Sequence, residues 1–116
     1  MAVKANPQPG DVILVEFPFS DVEGSKQRPA VVVSASSYPD CENEVIVLMI
    51  TSQIQRAVCE TDCQLWDWRE AGLTTPSAVR CRPATIRMER VKSILGRLSE
   101  PDWQAVRECL RRAFGI

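Results

Sequence analysis

Between positions 80 and 97 the chain sets Arg80, Arg82, Arg87, Arg90, Lys92 and Arg97 against a single acid, Glu89. A cationic strip of this kind can hold an anionic ligand, although charge alone describes a solvated face equally well. Histidine is absent. That excludes imidazole acid–base chemistry, the Ser-His-Asp and Cys-His constellations, and every zinc site that needs imidazole. The cysteines, Cys41, Cys59, Cys63, Cys81 and Cys109, are scattered without a Cys-x-x-Cys pair. Reduced, mostly buried thiols and no metal site are the expectation. Arg28 precedes Pro29 and, taken alone, reads as a surface charge beside a strand-starting proline. Thr51 and Ser52 stand where an apolar run turns polar, the usual place for hydroxyls that satisfy strand-end backbone groups. Trp66 and Trp68 are of the type that stacks nucleobases, but core or a subunit interface is the commoner use of such residues.

The elements that must position these residues are short. The 116 residues, 45% hydrophobic and 25% charged, suit one soluble globular domain. The longest unbroken apolar run, residues 45–50, is too short to span a bilayer. No apolar stretch of signal-peptide type opens the chain, so a cytoplasmic protein is expected. Residues 1–50 carry three Lys/Arg and seven Asp/Glu, whereas residues 51–116 carry eleven and eight, so the positive charge lies in the second half. Residues 1–9 form a loosely held lead-in to a single domain, 10–116. Residues 11–19 alternate as a strand with one wholly apolar face, ended by Pro18. A Gly-centred polar loop, residues 20–27, leads to buried strands at 30–34 and 44–52, then a fourth at 59–65. Residues 66–71 read as one helical turn stopped by Gly72, and short strands flank Pro83 at 78–81 and 85–88, with another at 91–98. The closing helix is the clearest element. Ser99 caps it, Pro101 sits in its first turn, Asp102 completes a capping-box pattern, Trp103, Val106, Leu110 and Phe114 make its apolar stripe, and Gly115 ends it. Many short strands and one terminal helix predict a β-rich α+β domain, a small, partly closed barrel with the helix packed on it.

The run Gly10-Asp11-Val12-Ile13-Leu14-Val15, then Phe17-Pro18-Phe19 and Gly24-Ser25-Lys26-Gln27-Arg28-Pro29-Ala30-Val31-Val32-Val33-Ser34, resembles the opening of the MazF/PemK family of toxin endoribonucleases. Ile50-Thr51-Ser52-Gln53 is similar to the end of that family's third strand, and Gly72-Leu73, Ser77-Ala78-Val79 and residues 91–98 to its later strands. The similarity spans about residues 10–114 and is most specific in the N-terminal block. It implies an SH3-like barrel, a homodimer, metal-independent cleavage of single-stranded RNA without a cofactor, and a cognate antitoxin as inhibitor. It also implies Arg28 and Thr51 as the catalytic pair, with Ser25, Lys26, Gln27, Ser52 and Gln53 as RNA contacts. Some relatives carry a Glu where this chain has Lys26; Glu23 and Asp21 are the acids left in the same loop.

Elementary chemistry agrees with those residue types. Cleavage by the ribose 2′-OH needs no enzyme nucleophile, only an oriented phosphate, stabilised charge on its oxygens and help with protons. A guanidinium offers a rigid fork of donors that matches phosphate oxygens, and a hydroxyl adds one more. Arg28 fits phosphate stabilisation first and protonation of the leaving group second, rather than general base, since arginine resists deprotonation. The alternative of another class is a non-catalytic barrel that grips a protein partner, as the related gyrase-poisoning toxins do.

Overall fold

The computed structural model describes residues 6–17 and 26–116. Six strands form one antiparallel sheet: β1 (Asp11–Phe17), β2 (Lys26–Val32), β3 (Glu44–Thr51), β4 (Cys63–Gln64), β5 (Ala78–Arg87) and β6 (Val91–Arg97), in the order β4-β5-β3-β2-β1-β6. A one-turn helix, α1 (Pro39–Glu42), precedes β3, and the long helix α2 (Glu100–Phe114) closes the chain.

Alternation along the strands divides the core in two. Val12, Val31, Leu48 and Val79 point to one face, where Leu65, Ala71, Leu98 and Val106 cover them. Ile13, Val15, Ala30, Val32, Val45 and Val47 point to the other. There Ile86 and Val91, on either side of the Met88–Arg90 turn, bring the far strands together and curl the sheet into a small barrel. Strand β1 is therefore buried on both faces, since Val12 is as inaccessible as Ile13, rather than on the one apolar face its sequence predicts.

Four expectations shift. The strand expected at 30–34 runs over Lys26–Val32 instead, because residues 26–28, expected before it, pair with residues 15–17 of β1. The strand expected at 59–65 shrinks to Cys63–Gln64, because Asp62 closes a turn with Cys59: the Asp62 N–H donates to the Cys59 carbonyl at 2.9 Å and the Cys59 N–H donates back to the carboxylate at 3.3 Å. The two strands around Pro83 are a single ten-residue strand, β5, whose register against β3 shifts between Val47 and Met49. Pro83 lies in that irregular stretch, where no ladder donor is required of it. Residues 35–43, read as loop, contain α1.

Helix α2 starts and stops where the sequence predicts. The Ser99 hydroxyl accepts from the Asp102 N–H, and Gly115 adopts the left-handed conformation at φ +70°. Its buried contacts differ from the expected stripe. Asp102, Val106 and Cys109 are buried, Trp103 and Leu110 pack at the margin of the core, and Phe114 is 58% exposed. The buried Asp102 carboxylate accepts from the backbone N–H groups of Trp66 (3.0 Å) and Asp67 (2.8 Å), which pins residues 66–73 beneath the helix. That segment crosses β6 closely: a Cβ on Gly96 would stand 2.6 Å from the backbone of Ala71.

Candidate functional site

The ladder between β2 and β3 runs from Val32–Val47 to Ala30–Met49 and stops beside Pro29, which has no N–H to offer a neighbour. A cleft of about 490 Å³ opens there. Paired residues of an antiparallel ladder point to the same face. Met49 pairs with Ala30 on one side and Arg80 on the other, so Arg80 shares its face. Continuing the same register by two residues brings Arg28 level with Thr51, again on that face. Three neighbouring strands thus deliver Arg28, Thr51 and Arg80 to one opening, and all three line it.

The rest of the wall comes from turns. Ser52 and Gln53 follow Thr51, Arg56 ends the Ile54–Arg56 turn, and Thr74, Thr75 and Ser77 precede β5. The lining therefore holds three guanidinium groups and several hydroxyls, and no carboxylate among the described residues. Such a wall favours a polyanion. Thr51 Oγ1 accepts from the Gln53 N–H at 3.0 Å, the strand-end role its position predicts. That bond uses an acceptor lone pair and leaves the hydroxyl proton available to a ligand. The Ser77 hydroxyl, by contrast, donates to the Thr75 carbonyl at 2.8 Å and offers only acceptor capacity.

Of the residues expected from sequence, Arg28, Thr51, Ser52 and Gln53 meet in this cleft. Lys26 and Gln27 open β2, exposed and outside the lining, opposite Phe17 and Glu16 of β1. Ser25, with Asp21 and Glu23, lies outside the described residues. Arg56 and Thr74 were not singled out by sequence; a polar residue in a turn gives no signal of what it will face. The basic strip does not survive as one surface. Arg87 pairs with Glu89 (3.6 Å), Lys92 with Glu16 (3.2 Å) and Arg97 with Asp11 (2.8 Å), while Arg80 alone of the six lines the cleft. Acids remote in sequence thus engage Lys92 and Arg97, two members of what reads as an uncompensated run.

The aromatic and thiol expectations divide similarly. Trp66 is 82% exposed, which removes it from the core, whereas Trp68 packs at the core margin with the Arg69 guanidinium 4.6 Å from its ring centre. Cys41 and Cys59 are exposed and only Cys109 is buried, so the thiols are less sheltered than expected. Burial, then the neighbouring Cys109, pushes the Cys63 thiol up to about 12. No group of three or more Cys, Asp or Glu among the described residues could hold a metal ion, and no described helix is long and apolar enough to cross a membrane.

Residues 8–114 match the family described as PemK-like, MazF-like toxin of type II toxin–antitoxin system. No curated protein sequence matches the chain. Among solved structures, a mycobacterial endoribonuclease in complex with its cognate antitoxin superposes with a TM-score of 0.76 at 17% identity, over 95% of this chain and 96% of that one. MazF (Form-I) from Deinococcus radiodurans gives 0.74 at 20% identity, over 96% and 98%. The Mycobacterium tuberculosis toxin MazF-mt6 gives 0.71 at 21% identity, over 91% and 97%. At these identities the likeness establishes the fold: the SH3-like barrel with a terminal helix.

Proposed function

We infer the function from one premise: the chain belongs to the PemK-like, MazF-like toxin family of type II toxin–antitoxin systems. It is a toxin endoribonuclease that cleaves single-stranded RNA by attack of the substrate's own 2′-OH on the adjacent phosphate, and a cognate antitoxin restrains it. The observation that carries this reading is the convergence of Arg28, Thr51 and Arg80 from three neighbouring strands on one acid-free cleft.

Each residue has a distinct part. The Arg28 and Arg80 forks hold the non-bridging oxygens and offset the charge that builds there in the pentacoordinate transition state. The Thr51 hydroxyl, its oxygen fixed by Gln53, donates a further hydrogen bond to the same oxygens. Arg56, Ser52 and Gln53 hold the flanking backbone and bases. Lys26, on the same strand face as Arg28 and two residues outward, meets the strand as it leaves the cleft. The 2′ oxygen gives up its proton and bonds to phosphorus while the bond to the 5′ oxygen breaks and that oxygen takes up a proton, giving a 2′,3′-cyclic phosphate and a 5′-hydroxyl. The working unit is two copies of the chain, as the family resemblance implies. The neighbours whose names include an antitoxin or MazE support an antitoxin as the chain's inhibitor.

Purified protein incubated with a long single-stranded RNA in excess chelator is expected to yield fragments with cyclic phosphate ends. An all-deoxy strand of the same sequence is expected to stay intact. Cleavage of the deoxy strand, or no RNA cleavage beyond a buffer control, overturns the mechanism. Light scattering at micromolar concentration is expected to report a dimer.

A further inference from the structure

Behind the cleft wall sits one acid that the reaction above does not use. The Asp62 side chain is 4% exposed, and its carboxylate accepts from the backbone N–H groups of Cys81 (3.1 Å) and Cys59 (3.3 Å). These bonds tie it to β5 and to its own turn, so its position is fixed by backbone. Its Oδ2 stands 3.7 Å from Nε of Arg80, an atom sealed from solvent that has no hydrogen-bond partner among the described residues. The Arg80 side chain is 22% exposed and lines the cleft.

We propose that Asp62 is a positioning residue that aims the Arg80 guanidinium into the cleft. The inference rests on the RNA-cleaving reading. A guanidinium is planar and has two edges fit for anions: one runs from Nε to one terminal nitrogen, the other joins the two terminal nitrogens. Asp62 attracts the Nε side from behind, and the outer edge is what remains for a phosphate in the cleft. At 3.7 Å the pair attracts by charge without a hydrogen bond. Arg80 is thus directed toward the opening yet keeps the freedom to close on its ligand. The carboxylate also offsets repulsion among Arg28, Arg56 and Arg80 before substrate arrives. Two residues 18 positions apart in sequence therefore act as one group, with only the outer one touching RNA.

The test is a double-mutant cycle read in kcat, KM and thermal melting. D62N keeps the shape of the side chain and one of its two acceptors, and removes the charge; thermal melting reads the cost of the lost acceptor separately. It is expected to lower kcat roughly 10- to 100-fold, as a misaimed group does, with little change in KM. R80A is expected to lose on the order of a hundredfold or more, and D62N/R80A no more than R80A alone, because Asp62 has nothing left to aim. If D62N does not fold, Asp62→Ser, which keeps an acceptor without the charge, takes its place. Wild-type kcat in the Asp62 variant overturns the proposal, as does a loss that multiplies with that of R80A. A wild-type protein that cleaves no RNA overturns the reading beneath it; wild-type cleavage with an unaffected D62N overturns the role of Asp62 alone.

Discussion

At the scale of single residues, the arginine that ends a gap in the ladder carries the sharpest expectation. Arg28 is exposed and outside both core clusters, so Arg28→Ala is expected to leave the melting temperature nearly unchanged. RNA cleavage, followed as initial rate, is expected to fall about a hundredfold, the effect of losing about 3 kcal/mol of charge stabilisation. Arg28→Lys recovers only part, since a point charge cannot make the forked contact. Retained turnover in the Ala variant would place the chemistry elsewhere. A second residue-scale expectation concerns Cys63, whose thiol moves from an ordinary 9.0 up to about 12, burial being the first cause and the adjacent Cys109 the second. Between those values the unfolded chain has released a proton that the native state retains, so native stability falls as pH rises. Denaturant midpoints measured from pH 8 to 11 should decline, and less steeply in Cys63→Ala. At pH 8 a thiol reagent is expected to label the exposed Cys41 and Cys59 well before Cys63.

At the scale of elements, the segment between β4 and β5 is held by the Asp102 carboxylate and by a close crossing with β6 at Gly72 and Gly96. The Asp102 side chain does not complete the capping box that the sequence predicts, because it takes two N–H groups from residues 66 and 67, while its own N–H completes the Ser99 cap. Asp102→Ala takes the partner from two half-buried donors, which costs about 1–3 kcal/mol in all. Gly96→Ala drives a methyl into the Ala71 backbone and is expected to cost a further ~1–3 kcal/mol. Chemical denaturation measures both. Because Thr74, Thr75 and Ser77 follow this segment into the cleft wall, RNA cleavage should weaken in the folded Gly96→Ala variant too. A Gly96→Ala protein of unchanged stability would contradict the close crossing. The capping signals of α2 were legible because they depend on four consecutive residues, 99–102. Its packed face was not, since whether Phe114 or Cys109 meets the core depends on where the sheet ends beneath the helix.

At the scale of the whole molecule, the cleft is a cationic opening on a chain with net charge −1. Such a chain has no general affinity for nucleic acid, so binding is local and depends on the few cations at the cleft. An acidic, disordered antitoxin tail with apolar anchors matches the same opening, its carboxylates standing where phosphates stand. A cleavage-resistant RNA and such a tail are therefore expected to displace one another in anisotropy titrations, and both to weaken as salt rises. Lys26→Glu should weaken each of them. Simultaneous, independent binding would refute a shared opening.

What the sequence alone determined is whatever neighbours in the chain decide: β1 through its alternation, β3 through its unbroken apolar run, α2 through its cap and its terminal Gly115. Resemblance over residues 10–34 and 50–53 added the barrel and the pairing of Arg28 with Thr51, because both residues sit inside matching motifs. The tertiary structure alone decided which charges stay available. Arg97, Lys92 and Arg80 meet Asp11, Glu16 and Asp62, partners that no local pattern joins to them. Ion pairing depends on distance through space, and antiparallel register converts a large separation in sequence into a few ångströms. For the same reason Arg80 and Asp62 become neighbours at the cleft, while Lys92 and Arg97 of the basic strip meet other acids.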